Sequence, residues 1–220
     1  ISFFQEINRK VVEEKQAKVV VANRWEDGDR PIYEIDHQDK RLAFFHPGVG
    51  APIAAGLLEE AIAFGIKNFI VCGGCGVLNR DLFVGKLILV NSALRDEGVS
   101  YHYLEPSREV KADQDIVKNM QAILSERGIP YITGKTWTTD APYRETPWMI
   151  QSRVEEGCLT VEMEAAALLA VAQYREVKLG QLLYAGDDLS GENWDKRSWQ
   201  SRKEIRESLF WLAAEICLKL

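Results

Sequence analysis

The sequence is poor in the residues that mark several protein classes. Four cysteines among 220 residues are too few and too scattered for a disulfide framework, which points to a reducing, cytoplasmic setting. Cys72 and Cys75 form one CxxC, but no second pair follows and none of the three histidines lies beside it. A zinc or redox site therefore has little support. No apolar run nears the length that spans a bilayer, and the opening ISFFQEINRKVVEEKQ does not read as a signal peptide. Positive charge is not in excess: 27 Lys and Arg against 33 Asp and Glu leave a formal net charge of -6. That argues against a general nucleic-acid binder, because phosphate contacts need clustered cations. Repeats, low-complexity runs and linkers are lacking, so a single domain over 1–220 is the expectation. The chain opens on Ile1 rather than methionine, which leaves room for residues ahead of it.

What is present is an alternation. The hydrophobic fraction, 46%, supplies a sizeable core, and its periodicity switches repeatedly between strand and helix. FFQEINRKVVEEK reads as an amphipathic helix and KVVVA as a strand, and DHQDK joins two strands as a hairpin. GAPIAAGLLEEAIAFG is a helix ending at Gly65, followed by the buried strand NFIVC and then KLILV. ADQDIVKNMQAILSERG is a helix closed by Gly128; GKTWTT is a strand, PWMIQSRVEEG a helix and LTVEM a strand. A helix from Ala165, the strand QLLYAG and a long helix from about Trp199 complete the chain. This order predicts an α/β fold, a mixed and largely parallel sheet with helices on both faces. Ligands then bind beyond the carboxyl ends of the strands, where PGVGAP, GGCG, TTDAPYRET, EME and GDDLSG fall.

Each of these segments carries two readings. In TVEMEAAAL, Glu162 and Glu164 enter apolar surroundings where a carboxylate loses solvation unless it finds partners. Either is equally an acid of a first helical turn, favoured by the helix dipole. The GGCG glycines after FIVC form a tight turn, or let a backbone loop approach an anion or a sugar. Asp187 and Asp188 are a solvated loop, or two carboxyls of which one keeps its proton and serves as a donor. Arg202 and Lys203 are candidate partners for that acid. His102 sits between two tyrosines, a common structural setting, and DAPYRET is an ordinary loop or a pocket for a planar ring.

Taken in order, GGCGVL, VGKLILVNSALRDEGVSYHYLEPSREVKAD, WTTDAPYRET, VEMEAAALLAVA and YAGDDLSG resemble the nucleoside phosphorylases of the purine nucleoside and uridine phosphorylase superfamily, with nucleosidases as close relatives. The resemblance runs from about residue 41 to the C-terminus. It implies cleavage of an N-ribosidic bond by phosphate, giving ribose 1-phosphate and a free base; the alternatives are a nucleosidase using water and an inactive nucleoside-binding protein. It further implies Glu164 on the ribose hydroxyls, Met163 against the sugar, Glu162 second to it and near the base, and Asp187 as the acid that protonates the departing base, supported by Arg202. Tyr143 and Arg144 lie near the base, and an aspartate at 187 favours purines. Gly73 and Gly74 belong to the phosphate end. The family's arginine before the glycines and its serine or threonine among them are replaced here by Val71 and Gly74. Its arginine-containing phosphate loop is expected to lie ahead of this chain, so Arg24, Arg30 and Arg41 are candidate replacements. No metal or organic cofactor is implied, only inorganic phosphate as co-substrate, and the expected assembly is a homo-oligomer, dimer or hexamer.

Overall fold

The computed structural model describes residues 1–26 and 28–220. The first helix, α1 (Gln5–Lys15), buries Ile7 and Val11, one turn apart, on its inward side. Three antiparallel strands follow, β1 (Lys18–Trp25), β2 (Gly28–His37) and β3 (Lys40–Phe44). The β2–β3 hairpin turns on Gln38 and Asp39, both left-handed with φ 53° and 59°, and pairs His37 with Lys40. That backbone is the two-residue turn whose twist suits a hairpin. Next come α2 (Ala51–Ala63), β4 (Asn68–Val77), β5 (Leu87–Asp96), β6 (Glu109–Lys111), α3 (Gln114–Glu126) and β7 (Tyr131–Thr139). The chain finishes with α4 (Pro147–Glu155), β8 (Cys158–Glu162), α5 (Ala165–Tyr174), β9 (Lys178–Asp188) and α6 (Lys203–Cys217).

The main sheet runs β6-β5-β7-β8-β4-β9, and β9 returns to pair with β5, so five strands close on themselves. Pairs β4–β9, β5–β7 and β7–β8 are parallel, whereas β4–β8, β5–β6 and β5–β9 are antiparallel. The closed strands hold an inner cluster of Cys75, Val77, Ile88, Val90, Leu183 and Ala185. Outside it, α5 is buried from Ala165 to Ala172, where five alanines let neighbouring backbones pack close. The helix ends follow from local chemistry. Asp113 caps α3 by accepting from the amides of Asp115 and Ile116 at 2.8 and 3.2 Å, and Thr146 caps α4 ahead of Pro147.

One expectation changes. The glycines of GGCG are not a loop: Gly73, Gly74 and Gly76 lie inside β4, paired with β9 and β8. Cys72 and Cys75 therefore fall on opposite faces of the sheet, Cys72 in the large outer core and Cys75 in the inner cluster. Both thiols are free, and burial raises the pKa of each, that of Cys72 to about 11. Ser2 bridges Cys72 in parallel, and Phe3 and Phe4 join it to α1.

Candidate active site

A cavity of about 590 Å³ opens where β4, β7, β8 and β9 end, and its wall includes Glu162, Met163, Glu164, Asp187, Gly73, Gly74 and Tyr143. Seven of the sequence-derived candidates thus share one space. Arg24, Arg30, Arg144 and Arg202 do not line it. Arg24 is exposed on β1, Arg30 lies on β2 near His46, whose pKa it helps lower after burial, and Arg144 is exposed. Arg202 donates to the Arg197 carbonyl. Arg41 pairs with Glu34 on the hairpin.

The two glutamates of EME do different work. Glu162 ends β8 with one oxygen accepting from Thr138 Oγ1 at 2.6 Å. Its other oxygen accepts from the amides of Glu164 and Ala165 at 2.7 and 2.6 Å, so this carboxylate closes the N-terminus of α5. Glu164, 6% exposed, accepts from the Gly50 amide at 2.5 Å through Oε1. The Met163 amide also lies against this carboxyl, and Glu164 lines the cavity, where a ligand can reach it. Desolvation holds both carboxyls above the ordinary range, and for Glu164 the nearby Glu162 adds to it. Met163, half-buried between them, presents its side chain to the cavity.

At the other end Asp187 receives Trp194 Nε1–H on Oδ2 at 2.6 Å, which fixes the carboxyl in orientation. Its neighbour Asp188 is not part of the site. It is tied to Arg197 and to the amide and hydroxyl of Ser190, so the two adjacent aspartates do not share a proton. Glu145 takes that place. It lines the cavity without a side-chain hydrogen bond or ion pair among the described residues, and its pKa is pushed up to about 7 by burial and then by the charge of Asp187. Two carboxyls near each other disfavour joint ionisation, which is the direction of the Glu145 shift. Tyr143 stands wholly exposed at the rim.

The polar stretch RDEG–SYHY has another role. Arg95, 1% exposed, donates to Ser100, Ser107 and the carbonyls of Leu104 and Glu105 and covers the Tyr101 ring at 4.0 Å. Glu97 accepts from the amides of Val99 and Ser100. This network shapes a loop, and His102 does not line the cavity.

Sequence reasoning missed Glu145, Trp194, Phe3, Phe4 and Gln181, all of which line the cavity. Glu145 stood inside the quoted DAPYRET, and no spacing marked it over its neighbours. The departures at 71 and 74 have a steric counterpart: a Cβ on Gly74 would lie 3.2 Å from the Tyr184 ring, and Tyr184 is itself held by a hydrogen bond from its hydroxyl to the Trp199 carbonyl. Val71 is wholly buried. Among the lining residues Arg206 is the cation, and it is paired with Glu6 and stacked on Phe4 at 4.9 Å. Among the described residues no group of three or more His, Cys, Asp or Glu side chains could hold a metal ion, and no helix is long and apolar enough to cross a membrane.

A closed mixed sheet thus carries a buried glutamate at one helix start and two carboxyl groups, Asp187 and Glu145, on the wall of the same cavity. The model of the phosphorylase superfamily matches residues 9–210, and the chain belongs to that family. This agrees with the nucleoside phosphorylase resemblance and with an enzyme of pentosyltransferase type. The chain is 24% identical over 199 residues to a guanosine phosphorylase of Halorubrum lacusprofundi, covering 88% of this chain and 81% of that one. It is 28% identical over 186 residues to a DeoD-type purine nucleoside phosphorylase of Bacillus cereus, covering 83% and 76%. In fold it is similar to uridine phosphorylase from Vibrio fischeri, with TM-score 0.80 and 20% identity over 100% of this chain and 90% of that one. AMP nucleosidase from Bacteroides thetaiotaomicron gives TM-score 0.78 at 20% identity over 99% and 85%.

Proposed function

We propose that this protein cleaves the N-ribosidic bond of a purine nucleoside, with phosphate receiving the ribosyl group. The observation that carries the reading is the placement of Glu164 and the Asp187–Glu145 pair on one cavity wall. Glu164 accepts from ribose hydroxyls, an interaction that strengthens as the sugar gains oxocarbenium character. Asp187, steadied by Trp194, gives the departing base a proton, so the base leaves neutral. The purine assignment draws on that acid and on the two curated relatives named for purine or guanosine substrates. The reading carries with it a homo-oligomer, a cytoplasmic setting and no cofactor beyond phosphate.

A second reading, water as nucleophile, is favoured by the charge of the wall. Glu145, Glu162, Glu164 and Asp187 face a single lining cation, Arg206, which already serves Glu6. Within one chain that wall attracts an anion weakly. Base release from inosine, adenosine, uridine and methylthioadenosine, followed with and without phosphate, tests both. Phosphate-dependent release from the purine nucleosides is the expected outcome; equal release without phosphate moves the assignment to a nucleosidase. Binding without release removes the catalytic reading altogether.

A further inference from the structure

The cavity wall holds, on the same strand as Asp187, a buried side chain with an acceptor that no described residue satisfies. Gln181, on β9, is 2% exposed and lines the cavity, yet its Oε1 has no hydrogen-bond partner among the described residues. Buried polar atoms are nearly always paired, so an orphan acceptor on a residue that lines a cavity calls for a ligand. Its surroundings are apolar. Strand register sets Gln181 beside Val71 and Leu183 beside Gly73, and a Cβ on Gly73 would lie 3.2 Å from the Phe3 ring. Gln181 and Asp187 stand six positions apart on β9, roughly 20 Å of extended strand less its bulge. That span accommodates a base, a sugar and an attacking oxygen in a row. Displacement at C1′ puts the nucleophile on the face of the sugar opposite the base, which is the Gln181 end.

We propose that Gln181 holds the nucleophile, its Oε1 accepting a hydrogen bond from an O–H of the attacking oxygen. The inference rests on the nucleoside-cleaving reading above. It names the chemistry of the group held there: a hydroxylic oxygen that still carries a proton, whether water or protonated phosphate. A fully ionised phosphate meets no cation from the neighbouring strand, where Val71 stands beside Gln181, and the lining cation Arg206 is already paired with Glu6. In the step, the attacking oxygen bonds to C1′ while the C1′–N bond breaks. The bond pair departs with the base, which takes a proton from the Asp187–Glu145 pair. The proton shed by the nucleophile returns to that pair through solvent, leaving ribose from water or ribose 1-phosphate from phosphate.

Gln181→Leu tests this, measured with and without phosphate on a nucleoside that the wild type cleaves. Removing an unpaired amide should leave the melting temperature unchanged or raised. If water is the nucleophile, kcat should fall on the order of 100-fold with the nucleoside KM within about twofold. If phosphate is, the same loss should appear in kcat/KM for phosphate. Activity within threefold of wild type in both arms, or a loss confined to nucleoside KM, overturns the assignment while leaving the cleaving function intact. A wild type that releases no base from any nucleoside overturns both together.

Discussion

Both oxygens of Glu162 are taken by Thr138 and by the amides that open α5, whereas Glu164 accepts from Gly50 and lines the cavity. The two should respond differently to the same change. Glu164→Gln should lower kcat by two to three orders of magnitude, roughly the scale of losing one transition-state contact, with the melting temperature held or raised. Glu162→Gln puts a neutral amide where a charged acceptor met three donors and should cost roughly 1–3 kcal/mol of stability; steady-state kinetics beside thermal unfolding separates the cases. Glu145 adds a pH dependence. Its folded pKa, about 7, lies above the usual 4.5, so the folded state binds the proton more tightly and stability falls as pH rises from about 4.5 to 7. Urea unfolding at either side of that window should show the fall, and Glu145→Gln should flatten it.

Elements were easier to read than their joins. The helix ending at Gly128 could be read because a capping aspartate and a closing glycine are strong start and stop signals; Asp113 and Gly128 act as such, Gly128 with φ 64°. Asp113→Ala should cost about 1 kcal/mol and lower the melting temperature by about 2–4 °C for a chain of this size, visible by calorimetry. The glycine run misled, because glycines following an apolar strand usually end it, and here partners on both sides keep β4 extended. The EME segment was legible as a strand passing into a helix, but not the division of labour within it. That division depends on Thr138 and Gly50, distant in sequence by 24 and 114 positions. Glu145, Trp194 and Gln181 left no mark for the same reason: only folding brings them to one wall.

For the whole molecule the feature absent from the sequence pattern is closure. No periodicity announces that β9 will pair with β5, since pairing of Leu87–Leu89 with Leu182–Tyr184 depends on sheet curvature and not on local preference. Closure leaves these strands without a free edge. Amide exchange in β4, β9 and the first half of β5 should therefore be the slowest in the protein, and exchange through local opening faster than that of the outer β1–β3 sheet would contradict it.

Helix α5 is gripped on every side from its first residue, and Glu164 is the residue on which it begins. On the proposed reading the sugar end of the cavity is thus built into the least yielding part of the core, while Tyr143, Glu145 and Trp194 hang from loops. Selection for a new base can work on those loops without disturbing the grip on the pentose. Libraries confined to residues 140–146 and 189–199 should recover altered preference far more often than libraries placed in α5, where the typical casualty will be soluble expression.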